Sequence, residues 1–456
     1  MPKPLLDLTP DQSEMDGSSS SAPAAPRSRA LKVLQVGKFY PPHMGGIETH
    51  LQALCGELQR TVDLRVIVAS DSDHPVEESI DGVRVSRVPT RLTFASTPLC
   101  PGMVQAIGRS DADIVHLHLP NPTAILAYLA SGHRGRLVVT YHGDTVRQRV
   151  LATLFAPFMH RALRKASAII ATSPEYCRTS PVLARYLDRC HVIPHGIALE
   201  QFERCDPSAV GEVRQRYGDR LILSVGRLVY YKGFEYLIRA MQQVNGKLIV
   251  IGDGPLRPKL QELTASLGLS DKVVLAGEVE KVAPYYHAAE VFVLPSIARS
   301  EAFGIVQVEA MAAGLPVVNT ALDTGVPFVS LHEQTGLTVP PENPDALAVA
   351  INRLLDDQNL RQTLGRAATL RARENFNLDT MTARVVALYE SLAPLGNVSS
   401  DKCVTRGPGR PSKEQAELVA LMFESHHSSA RSPDLEVQPC TSFAQSGADL
   451  NSDLSQ

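Results

Sequence analysis

The sequence lacks the features that would place it in several large classes of protein. No apolar run approaches the roughly 18–20 residues needed to cross a bilayer. The first ten residues, Met1-Pro-Lys-Pro-Leu-Leu-Asp-Leu-Thr-Pro10, have neither the basic start nor the apolar core of a secretory signal, so a cytoplasmic location is expected. The seven cysteines (Cys55, Cys100, Cys177, Cys190, Cys205, Cys403, Cys440) are odd in number and never spaced Cys-x-x-Cys. That excludes a zinc or disulfide framework and fits reduced thiols. Net charge is only −3, which supplies no field for coating nucleic acid or binding a polyanion.

What is present is a length of 456 residues at 44% hydrophobic content, too long for one ordinary core and suited to two domains with tails. Residues 1–29 are rich in Ser, Ala, Pro and Asp, and residues 396–456 are polar and Ser-rich. Both segments are expected to be disordered, because neither can bury a core. Within the second, Arg406-Gly-Pro-Gly-Arg410-Pro-Ser-Lys413 has the composition of a minor-groove hook. One short basic element in an acidic chain reads more simply as a solvated linker, so nucleic acid is not an expected partner.

Between the tails, short β-rich runs ending in polar residues recur at 31–37, 63–69, 113–119, 137–142, 168–171 and 191–193, then at 221–226, 247–252, 272–277 and 291–294. Most are followed by a loop and a helical pattern. This predicts an α/β protein of two doubly wound Rossmann-like domains, at 30–200 and 201–375, joined near 199–218. A last helix is predicted over 376–395. Ligands of such sheets lie at the carboxyl ends of the strands, and that is where the candidate residues fall.

Gly45-Gly46-x-Glu48 follows the first strand and opens a helix, an arrangement compatible with phosphate. His118 and His142 end two later strands, whereas His116 is expected to be structural. Arg227 and Lys232-Gly233 follow the first strand of the second half, and two cations with backbone donors suit a diphosphate. Gly252 and Val279 lie in the next two strand-end loops. The most informative stretch is 291–314. A strand closed by Pro295 leads through a polar loop to helix formers from about Ala302, with Glu301 and Glu309 on either side of Phe303-Gly304. A helix start there would present free N–H groups to a ligand. At their spacing the two glutamates grip different parts of one ligand rather than act as a close pair.

In order, Gly-Gly-x-Glu at 45–48, Tyr-His-Gly at 141–143, Gly-Arg…Lys-Gly at 226–233 and Glu-x7-Glu at 301–309, followed by Ala-x-x-x-Gly-x-Pro-Val, resemble glycosyltransferase family 4. The resemblance spans about 31–392. It implies the GT-B fold and transfer of a mannosyl- or glucosyl-type hexosyl group from a nucleotide-diphosphate sugar, with retention and without a metal. The acceptor implied is a saccharide or a lipid-linked glycan, in polysaccharide or glycolipid assembly. By that resemblance Gly45 and Gly46 face the donor and Arg227 and Lys232 clamp its pyrophosphate. Gly252 and Val279 lie along the base, and Phe303-Gly304 meets the diphosphate. Glu309 holds the ribose, Glu301 the transferred sugar, His142 lies by the reaction centre and His118 on the acceptor side. No Asp-x-Asp motif accompanies the clamp.

Two departures stand out. His195 replaces a commoner Asn in Val-Ile-Pro-His-Gly-Ile, and Asp323-Thr-Gly-Val-Pro-Phe replaces a commoner Gly-Gly-x-x-Glu, which bears on donor preference. A separate segment, 147–165, is apolar with basic ends. It reads as a core helix with a solvated edge, or as a helix lying on an anionic membrane at its cytoplasmic face. A nucleotide-sugar epimerase or hydrolase of the same shape and a non-catalytic binding protein are the competing readings.

Overall fold

The computed structural model describes residues 30–43, 45–94, 97–144 and 149–393; the two Ser-rich ends, the 406–413 element and Arg147 lie outside them. In the first half the strands are β1 (Lys32–Val36), β2 (Asp63–Ser70), β3 (Val76–Ile80), β4 (Val83–Pro89), β5 (Leu92–Phe94), β6 (Thr97–Leu99), β7 (Ile114–Leu119), β8 (Arg136–Tyr141), β9 (Ala168–Ala171) and β10 (Cys190–Val192). Their main sheet has the order β10-β9-β8-β7-β1-β2-β4-β3, with only β3 antiparallel, and β5 and β6 pair separately. The second half contributes β11 (Leu221–Val225), β12 (Lys247–Ile251), β13 (Val273–Gly277), β14 (Val291–Leu294), β15 (Val317–Thr320) and β16 (Gly336–Val339). These form an all-parallel sheet ordered β13-β12-β11-β14-β15-β16.

The central strands are mostly apolar along their length because helices cover both faces. All six residues of β7 and all four of β14 are buried. In the first sheet, Leu34, Leu117 and Val139 pack to one side, and Val33, Ile114 and Val138 to the other. The second sheet repeats this with Ile222 and Val293 on one face, Leu223 and Phe292 on the other.

The sequential order reverses between β7 and β1 in one sheet and between β11 and β14 in the other. Those are the points where strand-end loops diverge and leave a crevice. The chain passes between the sheets at 193–198 and again at 376–378. The two passes are tied by Ile197 N–H to Phe376 O at 3.0 Å and Leu378 N–H to Ile197 O at 3.0 Å. Gly196 is required for this approach, since a Cβ there would sit 2.5 Å from Asn377 O. The last helix, Leu378–Leu392, lies on the first sheet, burying Met381, Val385, Leu388 and Tyr389 beside Leu51 and Leu54 of helix Gly46–Leu58.

Three features differ from the sequence expectation. The segment 199–218 is not a linker but two helices, Glu200–Glu203 and Pro207–Tyr217. Asp206 caps the second by accepting from Ser208 N–H, and Leu199 and Val213 are buried in the second core. The β3–β4 hairpin is absent from the expected strands; it turns at Asp81 and Gly82, which both adopt positive φ. The helix expected from Ala302 begins at Val306, because Gly304 turns the backbone left-handed at φ +72°.

Candidate active site

The two crevices bring most of the sequence candidates together. On the second sheet, the loop after β11 carries Arg227 and then the turn Tyr230–Lys232, and the loop after β14 carries Ser296 to Glu301. Gly233, at φ +65°, lets these loops touch: a Cβ there would lie 2.1 Å from Pro295 O. Ile297 N–H donates to Tyr231 O at 2.8 Å. As a result Lys232 Nζ lies 2.6 Å from Glu301 Oε2, with each side chain only 10% exposed, and Ser296 Oγ donates to the same oxygen at 2.9 Å. Burial pulls the Lys232 ammonium down, but Glu301, Tyr231 and Glu309 outweigh it, and the net direction is up. It stays charged.

Glu309 sits in the first turn of helix Val306–Ala312 and accepts from the Tyr286 hydroxyl at 2.7 Å. Burial raises the Glu309 carboxyl, while the Tyr286 hydrogen bond and Lys232 oppose the rise. Burial and Glu309 push the Tyr286 phenol well up, so it remains a donor. Arg227 is exposed at the end of β11. Gly252, at φ +124°, brings the end of β12 against that of β11, where a Cβ would meet Gly226 O at 2.3 Å. Val279 is half-buried after β13. Phe303, expected at the diphosphate through the helix start, offers its backbone and not its ring. Its ring is buried, edge-on to His195 at 5.1 Å and to Phe376 at 5.7 Å between centroids, so it packs instead of lining a pocket. Among the described residues, the N–H groups of Phe303 and Gly304 donate to no backbone carbonyl, and these remain open to a ligand.

Across the crevice, Gly45 is extended and Gly46 opens helix Gly46–Leu58. The Glu48 carboxylate folds back over that start, where a Gly45 Cβ would be 2.4 Å from its Oε2. Beside it lies a group of buried histidines that the sequence did not bring together. His142 Nε2 is 3.0 Å from His118 Nδ1, and His118 Nε2 is 2.9 Å from Gln35 Oε1. His195 Nδ1 is 3.0 Å from His50 Nδ1, and the His195 ring stacks on His142 with centroids 5.2 Å apart. Burial drives His116 down to about 3 and His195 down to about 4. It lowers His50, His118 and His142 as well, with neighbouring histidines reinforcing the shift. All are neutral near pH 7. The acceptor-side placement of His118 is corrected here: it is 1% exposed with both ring nitrogens bonded, so it stands behind His142 and cannot touch an acceptor. One nitrogen each of His50, His142 and His195 lie within 4.8 Å of one another, near enough to share a metal ion.

The walls are joined at their rim. Arg299 Nη2 pairs with Asp144 Oδ2 at 3.2 Å, and Arg299 Nη1 reaches Thr179 Oγ1 at 3.1 Å and Asp323 O. Asp144 also accepts from Tyr141 and Ser180 hydroxyls at 2.9 and 2.8 Å. The Asp323 loop that departs from the family pattern is thus engaged in holding the two lobes together.

Comparison with known proteins decides what this crevice belongs to. Residues 44–201 match Glycosyltransferase Family 4 and residues 211–371 match glycosyl transferases group 1. A D-rhamnosyltransferase, WbpZ, of Pseudomonas aeruginosa is 34% identical over 353 residues, covering 76% of this chain and 92% of its own. The chain belongs to glycosyltransferase family 4. A second relative of this family-4 chain is the GDP-mannose-dependent alpha-(1-6)-phosphatidylinositol monomannoside mannosyltransferase of Mycolicibacterium smegmatis. It is 32% identical and covers 78% of this chain and 97% of its own. Among solved structures, Anabaena Alr3699/HepE in complex with UDP superposes at a TM-score of 0.66 with 22% identity, covering 79% of this chain and all of its own. That likeness, with the two parallel sheets, makes the fold GT-B. The reaction class is glycosyl transfer. No helix among the described residues of this glycosyltransferase is long and apolar enough to cross a membrane.

Proposed function

We propose that this glycosyltransferase moves a hexosyl group, of mannosyl or related type, from a nucleoside-diphosphate sugar to a saccharide or lipid-linked acceptor, with retention. The observation carrying the proposal is the buried Lys232–Glu301 pair at one strand-order reversal, next to Ala302, which lies against Gly143, the residue after His142; a Cβ on Gly143 would be 3.6 Å from that of Ala302. A charged ammonium in a sparsely hydrated crevice, with Arg227 and the Phe303 and Gly304 N–H groups nearby, suits the charge that develops on a departing nucleoside diphosphate. Arg227 is exposed and ready to engage anionic oxygens as the donor binds.

The other groups then have distinct tasks. Glu301 turns from Lys232 toward hydroxyls of the transferred sugar, and Glu309 takes the ribose hydroxyls. Neither is placed as a general acid and base pair. His142, neutral, lies beside the reacting sugar, and the lobes exclude water from its oxocarbenium-like state. The lysine and arginine let the reaction proceed without a resident metal, so turnover should survive dialysis against EDTA.

The relatives suggest which donor to try first. One of them is named as GDP-mannose-dependent, and another as a D-rhamnosyltransferase. A GDP-linked donor of mannose type is accordingly the first to test, with UDP-hexoses as comparison. Calorimetric titration of GDP- and UDP-sugars, followed by transfer assays on short mannose-containing acceptors, tests the reading. Failure of every donor to bind would sink it.

The helix Arg149–Lys165 bears on the acceptor's setting. Leu154 and Phe158 are 69% and 47% exposed, and Arg164 and Lys165 lie in its last turn. Such a face suits an anionic lipid surface that would present a lipid-linked acceptor. Cosedimentation with phosphatidylglycerol vesicles at low salt should be lost in a Leu154→Glu, Phe158→Glu variant; no cosedimentation of the unaltered protein removes the membrane from the proposal.

A further inference from the structure

One arrangement has no part in the reading above: a buried row of hydrogen bonds running from the last helix to His142. Tyr389, on helix Leu378–Leu392, is fully buried and reaches Gln35 on β1 across 354 residues of sequence, with Gln35 Nε2 donating to its hydroxyl at 2.8 Å. The hydroxyl is also 2.6 Å from His116 Nδ1, and His116 Nε2 is 2.7 Å from Thr140 Oγ1. On the other side Gln35 Oε1 faces His118 Nε2, and His118 Nδ1 faces His142 Nε2. Gln35, His116 and His118 are at most 1% exposed, whereas His142 keeps 8%.

With the Gln35 amide nitrogen toward Tyr389 and its oxygen toward His118, the donor and acceptor rules leave this row one direction. A carbonyl oxygen can only accept, so His118 must carry its proton on Nε2. The neutral ring then has a bare Nδ1, which must accept from His142 Nε2–H. Tyr389, having accepted from the Gln35 amide, has a single hydrogen left and gives it to His116 Nδ1. His116 Nε2–H passes to Thr140. Reversing the Gln35 amide would reverse every bond in the row, so the orientation in which Gln35 donates to Tyr389 and accepts from His118 decides the tautomer of His142.

We propose that Tyr389, Gln35 and His118 are positioning residues that hold His142 as its Nε2–H tautomer, leaving Nδ1 as a hydrogen-bond acceptor for a hydroxyl of the transferred sugar. Among the described residues His142 Nδ1 makes no hydrogen bond, so a sugar hydroxyl would be its partner. The sugar's part in this rests on the function proposed above; the tautomer does not. The helix that crosses back from the second lobe thereby contributes to the site through the row, beyond tying the lobes together.

The test is long-range 15N–1H correlation on histidine-labelled protein without ligand at pH 7.5, with signals assigned by His118→Asn and His142→Asn variants. The unaltered protein should show both rings as Nε2–H tautomers. In Tyr389→Phe, His142 should become a mixture, and kcat should fall by about tenfold, the scale of one lost hydrogen bond, with donor KM changed less than about twofold and the melting curve still cooperative. An Nδ1–H tautomer for His142 in the unaltered protein overturns the proposal even if the variant fails to fold. A variant that loses activity without a tautomer change, or changes tautomer without losing activity, also overturns it. Failure of all nucleotide sugars to bind would instead strike the functional reading and leave the tautomer result standing.

Discussion

Lys232 Nζ lies 2.6 Å from Glu301 Oε2 in a crevice where both side chains are nine-tenths buried. Each residue, read from sequence, had a separate ligand group to hold; in the folded protein they first hold each other. Truncating one partner leaves a buried charge uncompensated, which costs about 3–5 kcal/mol. Lys232→Ala and Glu301→Ala should each lower the melting temperature clearly, and the double variant should lose less than the sum of the two. Transfer should fall by at least about 100-fold in Lys232→Ala, since the leaving diphosphate loses its buried cation. Additive melting shifts would show that the pair is not coupled.

Tyr286 and Glu309 form the second test. The tyrosine donates to Glu309 at 2.7 Å and holds its carboxylate against the pull of burial toward the protonated form. Tyr286→Phe removes one hydrogen bond and should raise donor KM by about 5- to 10-fold, with kcat nearly constant. Competition by the free nucleoside diphosphate should weaken in parallel. A drop in kcat at constant KM would place Glu309 at the reacting sugar instead of the ribose.

Acid should unfold the protein through its histidines. In the native state burial holds His116 down to about 3 and His195 down to about 4, and lowers His50, His118 and His142 too. Unfolded histidine titrates near 6.5. Above that both states are neutral and the group costs nothing. As pH falls below about 6.5, the unfolded chain takes protons that the native chain refuses, so stability declines by up to about 1.4 kcal/mol per pH unit per histidine. Melting temperature should fall steadily from pH 7 to 5, and less steeply in His116→Asn. A flat profile over that range would contradict a neutral buried cluster.

The Asp144–Arg299 contact should govern water exclusion more than folding. At 3.2 Å with Arg299 30% exposed, the pair is a rim interaction worth at most about 1 kcal/mol. Arg299→Ala should leave the melting temperature nearly unchanged but raise hydrolysis of the donor relative to transfer, because the lobes no longer stay shut. An unchanged ratio of free sugar to glycosylated product would mean that closure does not depend on this contact.

The sequence went far on its own because its signals were local. Apolar runs such as Val291–Leu294 and strand-end polar residues such as Arg227 and His142 depend on neighbours in the chain, and they located both sheets and most of the polar residues at the strand ends. The family likeness of four short motifs, in order, supplied the GT-B expectation. Residues 199–218 misled because polar composition hid two helices, the second capped by Asp206, in a stretch with few buried positions, Leu199 and Val213.

Long-range geometry was decided only in three dimensions. Nothing near Gln35 or Tyr389 in the chain announces that they meet, and a lone tyrosine in a helical pattern reads as core. The pairing of Lys232 with Glu301 needs Gly233 against Pro295 O, a backbone approach no periodicity encodes. The sequence therefore determined which groups line the crevice, since strand ends and turn residues are set locally. Tertiary structure alone decided which of them are bonded to one another, because bonds such as His118–His142 and Gln35–Tyr389 join residues 24 and 354 positions apart across sheets that must first be built.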